Sequence, residues 1–192
     1  MTTEEGPVRV AVLVSGGGTN LQALLDALQH SPVARVVRVI SNRPGAGALE
    51  RARRAGVAST VLSNPADPHE LLVALRDAQL VVLAGYLKLV PPAVVAQFRG
   101  RMINIHPALL PDFGGPGMYG HHVHAAVLAS GARESGATVH FVDEAFDRGD
   151  IIAQEKVPVM GGDTPETLAA RVLEAEHRLL PRVVLELARR IG

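Results

Sequence analysis

The sequence predicts a three-layer, Rossmann-like α/β domain whose sheet is mostly parallel, with an antiparallel strand near the C-terminus. Three observations carry this. Short β-branched runs alternate with helix-period segments over residues 8–105, the order expected of βαβ units. Residues 80–84 are apolar without a break, as a strand buried on both faces requires. Near the end, two strand-like runs at 138–142 and 151–159 follow one another with no helix between them, so they read as a hairpin.

Residues 8–14 form the first strand, and 19–30 a helix with Leu21, Leu24, Leu25 and Leu28 on one face. A strand at 33–40 and a helix at 47–55 follow; Arg51, Arg53 and Arg54 of that helix are placed in water. Next come a strand at 57–62, a helix at 68–78, the buried strand at 80–84, a short helix at 91–98 and a strand at 102–105. Residues 107–120 contain three prolines and four glycines and are expected to be one long irregular loop, a length usually kept for function. After a helix at 122–130 and the hairpin, whose turn falls near 147–150, an amphipathic helix closes the chain at 164–190. Asp163 or Thr164 caps it, with Pro165 in its first turn. There is no repeat, linker or low-complexity tract, so residues 1–192 are read as a single domain.

Composition narrows the function. Nineteen basic side chains balance nineteen acidic ones, which leaves no electrostatic footprint for nucleic acid or an anionic membrane. Aromatic residues are only 3%, too few to offer stacking surfaces for bases. The absence of cysteine excludes a thiol nucleophile, thiolate metal ligands and a disulfide framework. The short acidic stretch at residues 1–7 has no apolar core, and no apolar run is long enough to span a bilayer. A cytoplasmic protein acting on small molecules is expected.

Two motifs carry chemistry. Ser15-Gly16-Gly17-Gly18-Thr19-Asn20 lies between the first strand and the first helix, where glycines aim backbone N–H groups at an anion and the helix N-terminus favours negative charge. Three glycines exceed what a turn needs, so a monophosphate site is preferred to a plain βα turn capped by Thr19. The pattern is not a dinucleotide fingerprint: Leu21 stands where a third glycine belongs, and Ser41 and Asn42 end the second strand in place of an acid. The second motif, Asn104-Ile105-His106-Pro107, ends a central strand, where open α/β sheets bind ligands. Alternation places Asn104 and His106 on one face, and an amide beside an imidazole can hold an oxyanion and move a proton. Taken alone, the same pair serves equally well to satisfy backbone groups at a strand end. Asp147, on the hairpin turn, can reach His106, raise its pKa and fix its tautomer, or it is simply a turn residue. Thr138 and His140 share one face of the preceding strand and are expected to border the same cleft. His121, His122 and His124 have no acid among them and are read as solvated, without a metal.

Together these segments resemble the folate-dependent formyltransferases, and within them the glycinamide ribonucleotide transformylases of purine synthesis. The resemblance runs from Val10 to about Val184 and rests on residues 15–22, 83–88, 104–111, 136–142, 147–152 and 174–177, in the family's order. It implies the formyltransferase fold, with a phosphate-binding half at about 8–100 and a folate and catalytic half at about 101–192. It implies 10-formyltetrahydrofolate as co-substrate, glycinamide ribonucleotide as acceptor, no metal, and a monomer or homodimer. Asn104, His106 and Asp147 match the family's catalytic trio. Gly18, Thr19 and Asn20 match the part of its loop that grips the phosphate, with Gly17 counted beside them as substrate-binding, and Glu176 matches its ribose-binding acid; as a lone helix residue Glu176 would be read as solvated. The pteridine is implied to lie along Leu83, Tyr86, Leu87, Leu89 and Val90, with Val142 and Asp143 opposite and Lys88 near the folate tail.

Four departures stand out. Gly17 replaces a frequent Asn, Lys88 a frequent Arg, and Asp147-Arg148-Gly149-Asp150 a frequent Asp-x-Gly-Pro. Residues 111–124 are longer and richer in glycine than in the best-known members, and a lid that orders on ligand binding is expected there. Related formyltransferases acting on methionyl-tRNA or on sugar nucleotides, hydrolases of the formyl donor, and a non-catalytic phosphosugar-binding module are the alternatives. The tRNA and hydrolase types carry extra domains that this chain's length and neutral charge do not suggest.

Overall fold

A computed structural model describes residues 6–192. Residues 1–5 of the acidic N-terminal stretch lie outside the described residues. The chain runs β1 (Val8–Val14), α1 (Thr19–Leu28), β2 (Ala34–Ser41), α2 (Gly47–Arg54), β3 (Ala58–Val61), α3 (Pro68–Ala74), β4 (Leu80–Leu83) and α4 (Pro92–Gln97). It continues through β5 (Met102–His106), α5 (His121–Ala129), β6 (Glu134–Phe141), β7 (Ile151–Pro158) and α6 (Pro165–Ile191).

The strands make one sheet in the order β3-β2-β1-β4-β5-β6-β7. The first five are parallel, and β6 runs against both β5 and β7. Alternation along β1 explains the three layers. Val10, Val12 and Val14 face α1 and α6, packing with Leu21, Leu24, Leu179 and Val183. Ala11 and Leu13 face the other way, into a layer completed by Leu71 of α3, Val94 and Val95 of α4, and Phe98. The chain leaves β1 toward β2 on one side and returns through β4 on the other. That switch opens a crevice beyond the carboxyl ends of the strands.

Most boundaries fall within two residues of expectation. The helix at 68–78 ends earlier, at Ala74, because the chain turns to deliver Gln79 N–H to the Arg9 carbonyl. The strand expected from 138 begins at Glu134, where it already pairs with Pro158. Gly136 had hidden this, since an isolated glycine reads as a breaker. Here any side chain at 136 would strike the Glu155 carbonyl of β7, so the glycine is what lets the two strands close. Thr164 caps α6 and completes a reciprocal capping box with Thr167. Among the described residues, no helix is long and apolar enough to cross a membrane.

Candidate active site

The glycine-rich turn is held from behind. Gly18, at φ 77°, is the residue preceding α1, and a Cβ there would lie 2.6 Å from Ala48 Cβ and 2.8 Å from its Cα. The Gly16 carbonyl accepts from Ala48 N–H at 3.1 Å, and the Gly17 carbonyl from Arg51 Nε–H at 2.7 Å. Because these peptides are trans, turning both carbonyls toward α2 turns the N–H groups of Gly17 and Gly18 away from it. The Thr19 cap does not form: α1 has no side-chain cap, so its first N–H groups stay available to an anion. Arg51 corrects a second expectation. Arg53 and Arg54 do lie in water beside Glu50, but Arg51 is half-buried against the turn and also reaches Gln22 Oε1 at 3.3 Å.

Asn20, the last residue of the motif, reaches the cleft wall, whereas Gly17, Gly18 and Thr19 lie outside that wall at the start of α1. Asn20 Nδ2 donates to Glu176 Oε1 at 3.3 Å. Glu176 is not solvated: it is 7% exposed, and burial pushes its carboxyl up to about 7 against the opposing hydrogen bond from Asn20.

At the other end of the cleft four polar side chains converge. The β5–β6 register sets Asn104 opposite His140 and His106 opposite Thr138. Asn104 Nδ2 lies 3.1 Å from His140 Nε2 and 3.4 Å from Asp147 Oδ1. His140 Nδ1 is 2.8 Å from the Phe141 carbonyl, which can only accept, so neutral His140 carries its proton on Nδ1 and Nε2 accepts from Asn104. His106 is 3% exposed, with Nδ1 3.5 Å from Asp147 Oδ2 and Nε2 2.8 Å from the Phe113 carbonyl. Gly115 N–H donates to Asp147 Oδ2 at 3.0 Å, so the 107–120 loop touches both catalytic candidates through its backbone.

Asp147 does pull the His106 pKa upward, as expected, but the net shift is downward. Burial lowers the pKa, and the nearby Asp147 charge and the Phe113 carbonyl offset only part of that. For Asp147 the balance falls the other way. Burial pushes its carboxyl up, but the neighbouring His140 and His106 imidazoles and the Gly115 N–H together hold it below its ordinary value.

Thr138 does not border the cleft. It is fully buried, donating to the Ala108 carbonyl at 2.7 Å and accepting from Leu110 N–H at 3.1 Å and Gln154 Nε2 at 2.9 Å. Its role is to pin the root of the loop. His140 does line the cleft. The three loop histidines separate: His121 faces Glu166 at 3.5 Å, His122 stacks edge-on with Tyr119, and His124 is buried in the cleft wall rather than solvated.

Between these ends the cleft encloses about 740 Å³, a volume suited to a drug-sized ligand. Leu83, Tyr86, Leu87, Lys88, Leu89 and Val90 form one stretch of its wall, and Val142 and Asp143 line it too, Val142 packing against the same apolar cluster as Leu83, Tyr86 and Val90. Leu87 and Leu89 are 40% and 46% exposed, an apolar surface in need of a partner. The Tyr86 hydroxyl is buried without a partner, and burial pushes its phenol up to about 12.

A family model described as formyl transferase matches residues 8–184. The chain belongs to the formyl transferase family. Among its formyl transferase relatives, a chloroplastic phosphoribosylglycinamide formyltransferase of Arabidopsis thaliana is 47% identical, the alignment covering 92% of this chain and 64% of that one. A phosphoribosylglycinamide formyltransferase of Escherichia coli (strain K12) is 41% identical over 92% of this chain and 85% of its own length. The chain thus spans just under two thirds of the plant relative. A crystal structure of phosphoribosylglycinamide formyltransferase from Anaplasma phagocytophilum superposes with a TM-score of 0.89 at 37% identity, covering 95% of this chain and 87% of that one. The formyl transferase fold read from the sequence is therefore the fold observed.

Sequence reasoning missed the backbone of Phe113 and Gly115, because main-chain atoms leave no residue signature. It also missed Arg51, although a helix-period reading could have found it: Ala48 and Arg51 are three apart and fall on the face turned toward the glycine-rich turn.

Proposed function

We propose that this chain transfers the formyl group of 10-formyltetrahydrofolate to the primary amine of glycinamide ribonucleotide, as part of purine synthesis. The observation that carries this is a single cleft lined by three chemically distinct parts: the Asn20–Glu176 end beside the glycine turn, the apolar wall at 83–90, and the Asn104–His106–Asp147–His140 cluster. The phosphoribosylglycinamide formyltransferases among its relatives point to the same acceptor.

In this reading the phosphate takes the N–H groups of Gly17, Gly18 and Thr19, and Glu176 accepts from the ribose hydroxyls. The amine then attacks the formyl carbon to give a tetrahedral intermediate. Its oxyanion is held by Asn104 Nδ2–H, using the hydrogen now spent on a long contact to Asp147, with Nδ2 3.4 Å from Oδ1. The C–N10 bond breaks as the attacking nitrogen loses a proton and N10 gains one. His106, kept neutral by burial, is suited to accept and return that proton, with Asp147 orienting it. Products are the formylated ribotide and tetrahydrofolate. Lys88 offers a point charge to the folate tail. The protein acts in the cytoplasm on small molecules, without nucleic acid, membrane or metal, as a monomer or homodimer.

The test is turnover of these two substrates by the wild type and by His106→Ala. Wild-type turnover with a fall of ~10²-fold or more in kcat is expected. Binding of both ligands with no turnover would favour the non-catalytic module, and failure to bind the ribotide would point to another acceptor.

A further inference from the structure

Ser15 belongs to the glycine-rich motif but forms no part of the cleft wall. It is 2% exposed and sits where three connections meet. Its Oγ–H donates to Asn42 Oδ1 at 2.6 Å, just beyond β2. The same oxygen accepts from Leu87 N–H at 2.9 Å, and Ser15 N–H donates to the Gly85 carbonyl at 3.0 Å. Ser15 therefore carries three hydrogen bonds, two of them to the segment that forms the apolar wall. On its other side it runs straight into Gly16–Asn20, the turn assigned to the phosphate. The third bond, to Asn42, ties in the connection that leads to Ala48 and Arg51, which hold that turn from behind.

No other hydrogen bond among the described residues directly joins the 15–20 turn to the 85–90 wall. We propose that Ser15 is a positioning residue that sets the separation between the acceptor half-site and the donor half-site. This rests on the functional reading above for which ligand each half holds. Each half-site has supports of its own: the glycine turn has Ala48 and Arg51, and the wall is packed through Leu83, Tyr86 and Val90. Loss of the hydroxyl should therefore leave each ligand bound but set the amine and the formyl carbon out of line. Formyl transfer is sensitive to such misplacement, because holding two reactants in register supplies much of the rate. A residue important only for folding would instead move stability and both affinities together.

The experiment uses Ser15→Ala and Asn42→Ala. Melting temperature, the separate dissociation constants for glycinamide ribonucleotide and tetrahydrofolate, and the single-turnover rate are measured for each variant and for wild type. For Ser15→Ala, both dissociation constants should stay within about threefold of wild type while the single-turnover rate falls about tenfold or more. Asn42→Ala leaves the Leu87 bond in place and frees only the hydroxyl proton, so the same step should fall by about threefold. If Ser15→Ala does not fold, the Asn42→Ala rate decides alone. Unchanged rates, or rates that fall only in proportion to binding, would overturn the inference. An inactive wild type would instead remove the functional reading and this inference with it.

Discussion

Two glycine-rich turns, one beside the cleft and one in its wall, are built in opposite ways. The first, at 16–18, is tied by its carbonyls to a neighbouring helix that faces away from the cleft, and the N–H groups of Gly17 and Gly18 point the other way. The second, at 113–115, is tied through its own backbone to His106 and Asp147, the groups assigned to the reaction. Phe113 holds φ 55° to make that contact, a conformation that costs an aromatic residue energy. One turn is therefore organised before a ligand arrives. The other spends its backbone hydrogen bonds on the groups assigned to the reaction.

The largest expected effect concerns the floor of the first turn. Glu176→Gln keeps a partner for Asn20 but removes a carboxyl whose pKa in the fold is about 7, against an ordinary 4.5. A raised carboxyl pKa means that the folded protein keeps a proton the unfolded chain releases, so stability falls as pH rises from 4.5 to about 7 and stays lowered above that. The variant should match wild type near pH 4 and be more stable at pH 8 by an amount on the order of 3 kcal/mol. Its ribotide affinity should be weaker at both values. Thermal melts across that range check the sign, and a variant less stable at pH 8 would refute the buried-acid account.

Gly18→Ala comes next. The new methyl meets Ala48 backbone at a positive φ, so nothing nearby can yield. A loss of ~1–3 kcal/mol and a ribotide KM raised about tenfold or more are expected, with kcat less affected. Arg51→Ala should raise that KM by about five- to tenfold, the range expected for losing charge-assisted hydrogen bonds, while Arg53→Ala leaves it unchanged. The smallest effect belongs to Gly114→Ala. Its Cβ would approach the end of the Leu110 side chain at 2.5 Å, which can move, and Asp147 Cβ at 3.2 Å, which must give slightly, so a cost of about 1 kcal/mol and little change in ribotide affinity are expected. A larger affinity loss from Gly114→Ala than from Gly18→Ala would reverse the contrast between the turns.

The parts of this site legible in the sequence are those where side-chain type and period coincide. Asn104 and His106 were readable because strand alternation places them together, and Asp147 because a hairpin turn brings it back. Thr138 obeyed the same alternation yet faces the loop root, since its hydroxyl meets three backbone and side-chain partners that no spacing reveals. The upward pull of Asp147 on His106 was legible, but the net direction was not, because burial, which outweighs the neighbouring carboxylate, is a property of the whole fold. Glu176 needed a family resemblance; its burial depends on α1 packing against α6, far apart in sequence.

On the proposed function, the Phe113 and Gly115 contacts also bear on how the enzyme selects its substrates. Asn104, His106 and Asp147 are not among the described buried side chains whose polar atoms lack partners. The loop backbone acts as a placeholder, presenting a carbonyl to the imidazole and an amide to the carboxylate as a substrate would. Binding is then an exchange reaction, in which a ligand gains only the difference between its own hydrogen bonds and those it displaces. A molecule that fills the cleft without matching that donor and acceptor pattern leaves a buried charge unpaired and is rejected at the reacting groups, however well its apolar part fits the wall.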